Sequence, residues 1–509
     1  MNRDVLKALQ LGGQNLLSTL SPDYNNMPYW EMIIGPDYKA AYNMGWPQHN
    51  VGRWWDAMLG LEKAIGFEIP PEIEGAMLQN TYRFFDNPDN LCLQPDDFDG
   101  NKFPTELHSL RESLMALTSL IRSRNSLWAR DKAHKMMETV QRAVNEDCTW
   151  NPEALDDYRR KRLELNLIHD PTGTNGRLIE ALVWHYQETH DPLAFELARK
   201  FAEWHFQNST KEDGSIDGIP NMSHTHSYLG TLRGLFLFGQ LTRQRKYIDR
   251  VKACYDVTVR RIVKRSGYTS HDLGYEARGE TTSPGDAAQL ALWLALEGYP
   301  EYLDDAERIV RCRILPSQIV EAEPLKPADD ITGDRVSRLS ERAVGGFGGM
   351  HKHPHGGKMN TTDITCADVH TLTDIYRHIV VKDKDITFVL FHFDYEDEEI
   401  AVSVERGAKR TLHIRYARPC PLYLRIPQWA PKDSLEVSVN GKPVSPVVEN
   451  GYMAVNAQEP CSIQISYGMP EEMVQEETDH VVYTLRFEGD EITGVSPNAP
   501  YLPFYPDLT

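Results

Sequence analysis

Four stretches of the chain gather side chains whose types and spacing suit chemistry on a polyhydroxylated substrate. Trp46, His49, Asn50, Arg53, Trp54 and Asp56 crowd the approach to a helix. They combine flat rings that can stack on a sugar face with forked donors and acceptors for hydroxyls. His224, His226 and Tyr228 follow Asn221 in a second stretch. Two histidines two residues apart do not share a helical face, so this is no helical metal pair. A loop-borne acid/base or hydroxyl-binding role is expected there. The third stretch holds His271, Asp272, Tyr275, Glu276, Arg278 and Glu280 in a glycine-broken loop. Cleavage of an acetal linkage needs two carboxyl groups, one protonated to assist departure and one ionised, in environments that push their pKa values apart. Glu280, with Asp272 or Glu276 as partner and His226 nearby, is the expected catalytic set. The fourth stretch, Asp363, Thr365, Cys366 and Asp368, leads into a helix whose N-terminus would favour a thiolate. His351, His353 and His355 precede it on a glycine-rich loop, where alternating histidines are a weak metal signal.

These segments need a scaffold that brings distant loops together. Between about residues 50 and 315, apolar residues recur at helical spacing, and another helix runs from about Ala367 to Val380. Short Gly, Pro and Asp-Pro breaks imply eleven or twelve helices in antiparallel hairpins. No fixed-period repeat is present, so a closed ring is expected in place of an open array. Residues 316–362 break the pattern with prolines and a glycine run, as a functional or disordered loop would. After about residue 386 the period becomes two, and Asn440-Gly441 marks a hairpin. The expected architecture is an (α/α)6 barrel over residues 1–385 and an antiparallel β-sandwich with a C-terminal tail over 386–509.

Composition narrows the function classes. A formal charge of −20 without a basic stripe argues against nucleic acid. No apolar run approaches a membrane span, and no signal peptide is visible, so a cytoplasmic or periplasmic protein is expected. Seven scattered cysteines, never in CxxC, fit neither a disulfide framework nor a zinc ribbon. Ten Trp and 23 Tyr fit a glycan partner. Oligomeric state is not legible.

The order of elements resembles glycoside hydrolase family 127, the β-L-arabinofuranosidase-like proteins. The matching residues are His226-Ser227-Tyr228 with Gly234 downstream, Glu280-Thr281-Thr282 before a helix, and Glu301 to Arg308. The Cys366 region, Leu424 to Trp429, and Val439 to Pro443 complete them. The resemblance implies a helical barrel followed by β-sandwich material, and a zinc ion held by one glutamate and three cysteines, one of them the nucleophile. Glu280 falls at the metal-binding glutamate. Thr282 stands where one cysteine is expected, and only Cys366 remains of the cysteine pair. A zinc site short of two thiolates would be severely weakened, so no cofactor is expected.

The expectation is an exo-acting glycoside hydrolase of a plant or microbial glycan with carboxylate acid/base chemistry. Sugar would be positioned by His49, Arg53, Trp54, His224, Tyr228, His271, Tyr275, Arg278, His351 and Cys366. The alternatives are a uronate-type lyase or epimerase using His and Tyr, and a non-catalytic glycan-binding relative.

Overall fold

The computed structural model describes residues 4–33, 42–43, 46–94, 107–155, 170–220, 222–322, 333, 337–349, 353–357 and 359–508. Twelve helices of eight or more residues lie among them. They are α1 (Val5–Ser18), α2 (Pro47–Ile65), α3 (Pro71–Phe84), α4 (Leu110–Arg124), α5 (Leu127–Ala143) and α6 (Arg177–Thr189). The chain continues with α7 (Pro192–Asn208), α8 (Thr225–Thr242), α9 (Arg245–Cys254), α10 (Thr282–Leu296), α11 (Tyr302–Ile309) and α12 (Thr362–Arg377).

Their packing closes a ring. α2 contacts α4, α4 contacts α6, and so on through α8, α10 and α12 back to α2. Each inner helix is backed by an outer one: α2 by α3, α4 by α5, α6 by α7, α8 by α9, α10 by α11, and α12 by α1. The sequences explain the two layers. α8 is buried on all sides from Thr225 to Gly239, and α10 from Thr282 to Leu294, as inner staves must be. The outer α9 buries one stripe, Tyr247, Ile248, Val251 and Cys254. Because the layers alternate along the chain, all six inner helices start at the same rim.

From Val380 onward the regular elements are almost all strands. A six-stranded sheet runs, edge to edge, 395–396, 400–406, 409–416, 461–468, 436–439 and 442–443. It faces a five-stranded sheet of order 448–449, 452–456, 421–425, 387–389 and 380–382. Pairing is antiparallel except that Thr387–Val389 runs parallel to Leu422–Leu424, a departure from the wholly antiparallel expectation. Alternation matches the faces: Ile400 and Val402, Leu412 and Ile414, and Ile463 and Ile465 point into the core. The C-terminal tail is itself structured. Residues 471–496 form a three-stranded antiparallel sheet whose Tyr483, Leu485 and Phe487 pack with Cys312 of the helical part.

Among the described residues of 316–362, Leu339–Ala343 is helical, and Gly348–Gly349 pairs with Met359–Asn360. Among the described residues no helix is long and apolar enough to cross a membrane.

Candidate active site

Inner helix starts supply most of the site. Thr361 caps α12 by accepting from the Ile364 amide at 2.9 Å, which places Asp363 in the first turn, where the helix dipole favours a carboxylate. Trp46, in a left-handed conformation at φ 52°, turns the chain into Pro47 and α2. His49 and Arg53, four residues apart, share the lumen face of α2. His49 Nε2 lies 3.0 Å from Asp363 Oδ1, and Arg53 Nε lies 2.5 Å from the same oxygen. Arg53 also donates from Nη2 to His226 Nε2 at 2.8 Å, which ties α2, α8 and α12 together. Burial alone would raise the Asp363 carboxyl, but Arg53 and His49 more than offset it and hold it well below the usual carboxylate range.

His226 is locked by its neighbours. Its Nε2 also accepts from Arg177 Nη2 at 3.1 Å, so Nδ1 carries the proton toward Asp286 Oδ2 at 2.5 Å. Burial, then Arg177 and Arg53, push its pKa well down and keep the ring neutral. Below the rim the charges alternate around the lumen. Arg53 and Arg111 lie 3.5 and 2.8 Å from Glu112, and Arg111 lies 3.0 Å from Glu180. Arg233 pairs with Glu180 and reaches Asp286 at 2.5 Å. Glu112 also takes Arg177. The void beside this belt holds about 10 Å³, room for one water molecule at most. The ring is plugged.

Glu280 sits immediately before α10, buried, with Ser283 Oγ at 3.5 Å. Burial raises its carboxyl above the ordinary glutamate value; His271 opposes this, and the Asp363 charge adds to it. Asp368, next to it electrostatically, is raised further by burial and accepts from Thr281. The hairpin of Ser270–Asp272 and Tyr275–Gly279 is pinned to the start of α8 by Leu273 N donating to Ser223 O at 2.6 Å. That brings the His271 and His224 rings to 4.6 Å. Trp46 stacks on His49 at 4.3 Å and on His108 at 5.2 Å, and Trp30 closes on Trp46 edge-on at 5.3 Å. The rim thus has a wall of indole and imidazole rings.

The structure brings together His49, Arg53, His224, His226, His271, Glu280 and Cys366, but several expected residues lie elsewhere. Trp54 is one residue past Arg53 and so turns about a quarter of the way round α2; it is fully buried, donating to Leu16 O at 3.3 Å. Tyr228, two past His226, faces outward into the core against Cys254. Tyr275 is 57% exposed. Glu276 turns away to Lys264 at 3.1 Å and to the Asp479 amide of the C-terminal sheet. Arg278 stands on the surface and pairs with Asp272 at 3.2 Å, and the other oxygen of that carboxylate holds His271 Nδ1 at 2.8 Å. The carboxylates whose charges act most on Glu280 are Asp363 and Asp286. His351 lies outside the described residues. Cys366 lines the void by Arg53, yet burial and Asp363 raise its pKa well above the ordinary value, so it is a thiol and not the thiolate expected at a helix start.

The residues do not fit a zinc ion held by one glutamate and three thiolates. At the positions where the family's thiolates are expected stand the hydroxyl of Thr282, buried without a hydrogen-bond partner, and Cys366, whose pKa burial raises. Among the described residues no group of three His, Cys, Asp or Glu side chains is arranged to hold a metal. His355 is instead packed between Tyr483 and Tyr505.

Asp286, Glu112, Arg177 and His108 were not legible as site residues. A signal existed for some: Asp286 is the only charged residue of α10, and Arg233 the only Asp, Glu, Lys or Arg of α8. A lone charge in an apolar helix is buried, and a buried charge must be paired.

Residues 392–469 match the family described as beta-L-arabinofuranosidase, GH127 middle domain. The fold is similar to a GH127 β-L-arabinofuranosidase from Geobacillus stearothermophilus T6, at TM-score 0.55 and 14% identity over 89% of this chain and 77% of that one. It is similar as well to another GH127 β-arabinofuranosidase, at TM-score 0.60 and 14% identity over 94% and 78% of the two chains. A third structure described as a glycoside hydrolase gives TM-score 0.57 and 13% identity over 92% and 83%. A search of curated proteins gave no match. The chain thus has the fold of the glycoside hydrolase family 127 β-L-arabinofuranosidases over most of its length and resembles that family in sequence at residues 392–469.

Proposed function

We propose that the protein is a glycoside hydrolase in which Glu280 is the proton-bearing carboxyl and Asp363 the ionised one. The observation that carries this reading is their opposed surroundings at neighbouring helix starts: burial raises Glu280, while Arg53 and His49 hold Asp363 down. Two carboxyl groups driven apart in this way are what departure of a leaving group and stabilisation of an oxocarbenium-like centre require. A carboxylate held so low is a poor base, which suits Asp363 to attack or to carry charge opposite the anomeric carbon. His226, with Nε2 covered by two guanidinium groups and Nδ1 on Asp286, positions Arg53 and does not take a proton itself. The indole and imidazole wall of Trp46, His49 and His108 supplies a stacking face for a sugar ring.

The plugged lumen supports attack at a chain end, since a polymer cannot thread a ring closed by the Arg53–Glu112–Arg111–Glu180–Arg233–Asp286 belt. The test is incubation with a panel of plant and microbial oligosaccharides, with products read by mass spectrometry. Release of single sugars with a gain of one water is expected. An unsaturated product absorbing in the near ultraviolet, or no product after long incubation, would overturn the reading.

A further inference from the structure

The two carboxyls of the proposed reaction flank one stretch of chain, residues 347–361. Near its start, Gly348 O accepts from Thr281 Oγ1 at 3.4 Å, one residue after Glu280. At its end, Thr361 caps α12, two residues before Asp363. Gly348–Gly349 pairs with Met359–Asn360, and Phe347 N donates to Thr365 Oγ1 at 3.2 Å. We propose that residues 499–508 form a strap that positions Glu280 and Asp363 by clamping this stretch, with Phe504 as the positioning residue. The proposal rests on the catalytic reading above.

The strap crosses the stretch as an antiparallel bridge. Gly357 N donates to Leu502 O at 3.0 Å, and Phe504 N donates to His355 O at 2.9 Å. A Cβ on Gly356 would lie 2.4 Å from Ala499 Cβ, so glycine is what lets the two chains come this close. The far end is moored on the three-stranded sheet, where Val495 N donates to Pro506 O at 3.1 Å and Leu508 N to Val495 O at 3.0 Å. Phe504 and Tyr505 are buried although they lie beyond the last strand, and Tyr505 donates to Cys312 O. Two routes lead from Phe504 to Glu280. Its ring lies over Gly348, where a Cβ would sit 3.5 Å from Phe504 Cε1, and Gly348 holds Thr281. It also packs on Arg313, whose guanidinium carbon is 5.1 Å from the Phe504 ring and 5.4 Å from the Tyr268 ring. Arg313 is buried and donates to Pro354 O on the clamped stretch. Tyr268 presses on Gly279, the residue before Glu280, where a Cβ would lie 2.4 Å from its Cε2. Phe504 belongs as well to the apolar cluster around Cys312, a purely structural role that kinetics can separate from positioning.

Hydrogen exchange of the full chain, read by mass spectrometry on peptides covering residues 278–286 and 359–368, tests the clamp without reference to hydrolysis. Phe504→Ala should speed exchange in both by about fivefold or more, with a cooperative thermal transition retained. On the panel oligosaccharide that the parent cleaves fastest, kcat should fall by about 10- to 100-fold while KM changes by less than about twofold. Burial raises the Glu280 carboxyl; a loosened clamp admits water and lowers it, so the basic limb of kcat/KM should move to lower pH. The charged groups that act on Glu280 are His271, Asp363, Arg53 and Asp286, all off the strap, so the substitution itself removes no charge. Phe504→Leu keeps apolar bulk and should retain more of kcat than alanine does. Should the alanine chain not melt cooperatively, the leucine chain is read in its place, with the same directions expected. Unchanged exchange in the two peptides, or faster exchange with parental kcat and an unmoved basic limb, would overturn the strap. A parent chain that releases no sugar overturns the catalytic reading, and exchange then decides the clamp alone.

Discussion

Glu280 and Asp363 make opposite demands on the fold, and those demands are measurable. A carboxyl whose folded pKa is raised contributes stability that is complete below its unfolded value, about 4.3, and is lost as pH rises through the raised value. Glu280→Gln removes that loss. The variant should be inactive yet more stable than the parent at pH 8, with the gain vanishing near pH 4, as read by urea unfolding at both pH values. A stability change of the opposite sign at pH 8 would contradict the assignment. Asp363 works the other way: its stabilisation is present above about pH 4 and is lost as pH falls through its lowered value. Asp363→Asn takes the nearer of two carboxylates from the buried Arg53 guanidinium and leaves it Glu112 at 3.5 Å, a change expected to cost about 1–3 kcal/mol, with a shift in the urea midpoint that shrinks in acid.

At the scale of elements, the site depends on how closely the inner helices approach. A Cβ on Gly52 of α2 would lie 2.8 Å from the backbone carbonyl of Glu112 on α4, so the glycine lets Arg53 and Glu112 meet. Gly52→Ala should cost about 1–3 kcal/mol and reduce turnover by displacing Arg53, whereas Gly75→Ala on α3, where nothing lies within 4 Å, should do neither. Thermal unfolding and initial rates distinguish the two. Legibility in the sequence follows the same physics. Outer helices such as α9 carry a one-sided stripe and are plain in the sequence. Inner helices such as α8 and α10 are apolar on nearly every side, so periodicity reveals a helix without saying which way His226 or Tyr228 points. The surroundings of Glu280 are hard to read for a related reason. Asp272 and Glu276 are its sequence neighbours, but their hairpin pairs them with Arg278 and His271 and with Lys264, while the carboxylates whose charges act most on Glu280 come from α10 and α12. Sequence distance carries no information about which inner helices are adjacent in a closed ring.

At the scale of the molecule, the helical and β parts are joined by buried charge. Glu307 of α11 is fully buried and contacts Arg425 of the sandwich, with Arg311 at 2.7 Å. Arg410 of the sandwich reaches Asp490 at 2.6 Å and Glu491 at 2.9 Å in the C-terminal sheet, and Arg311 reaches Glu491 at 3.2 Å. The stretch that matches the family's middle domain supplies Arg410 and Arg425. Removing residues 386–509 would leave Glu307 without Arg425 and expose the apolar cluster around Cys312. A 1–385 fragment should therefore lack a cooperative thermal transition, and Glu307→Gln in the full chain should cost about 3–5 kcal/mol. A fragment that melts cooperatively near the full chain's Tm would show the sandwich to be dispensable for the ring.

Proton donation by Glu280 to a departing oxygen is the claim on which the functional account turns. The direct measurement is kcat/KM of Glu280→Gln on two glycosides of the sugar released from the oligosaccharide panel, one with an alkyl leaving group and one with a dinitrophenyl group that departs without a proton. A loss of about 10²- to 10⁴-fold on the alkyl glycoside, with little change on the dinitrophenyl one, is predicted. Equal losses on both, or undiminished turnover of the alkyl glycoside, would contradict it.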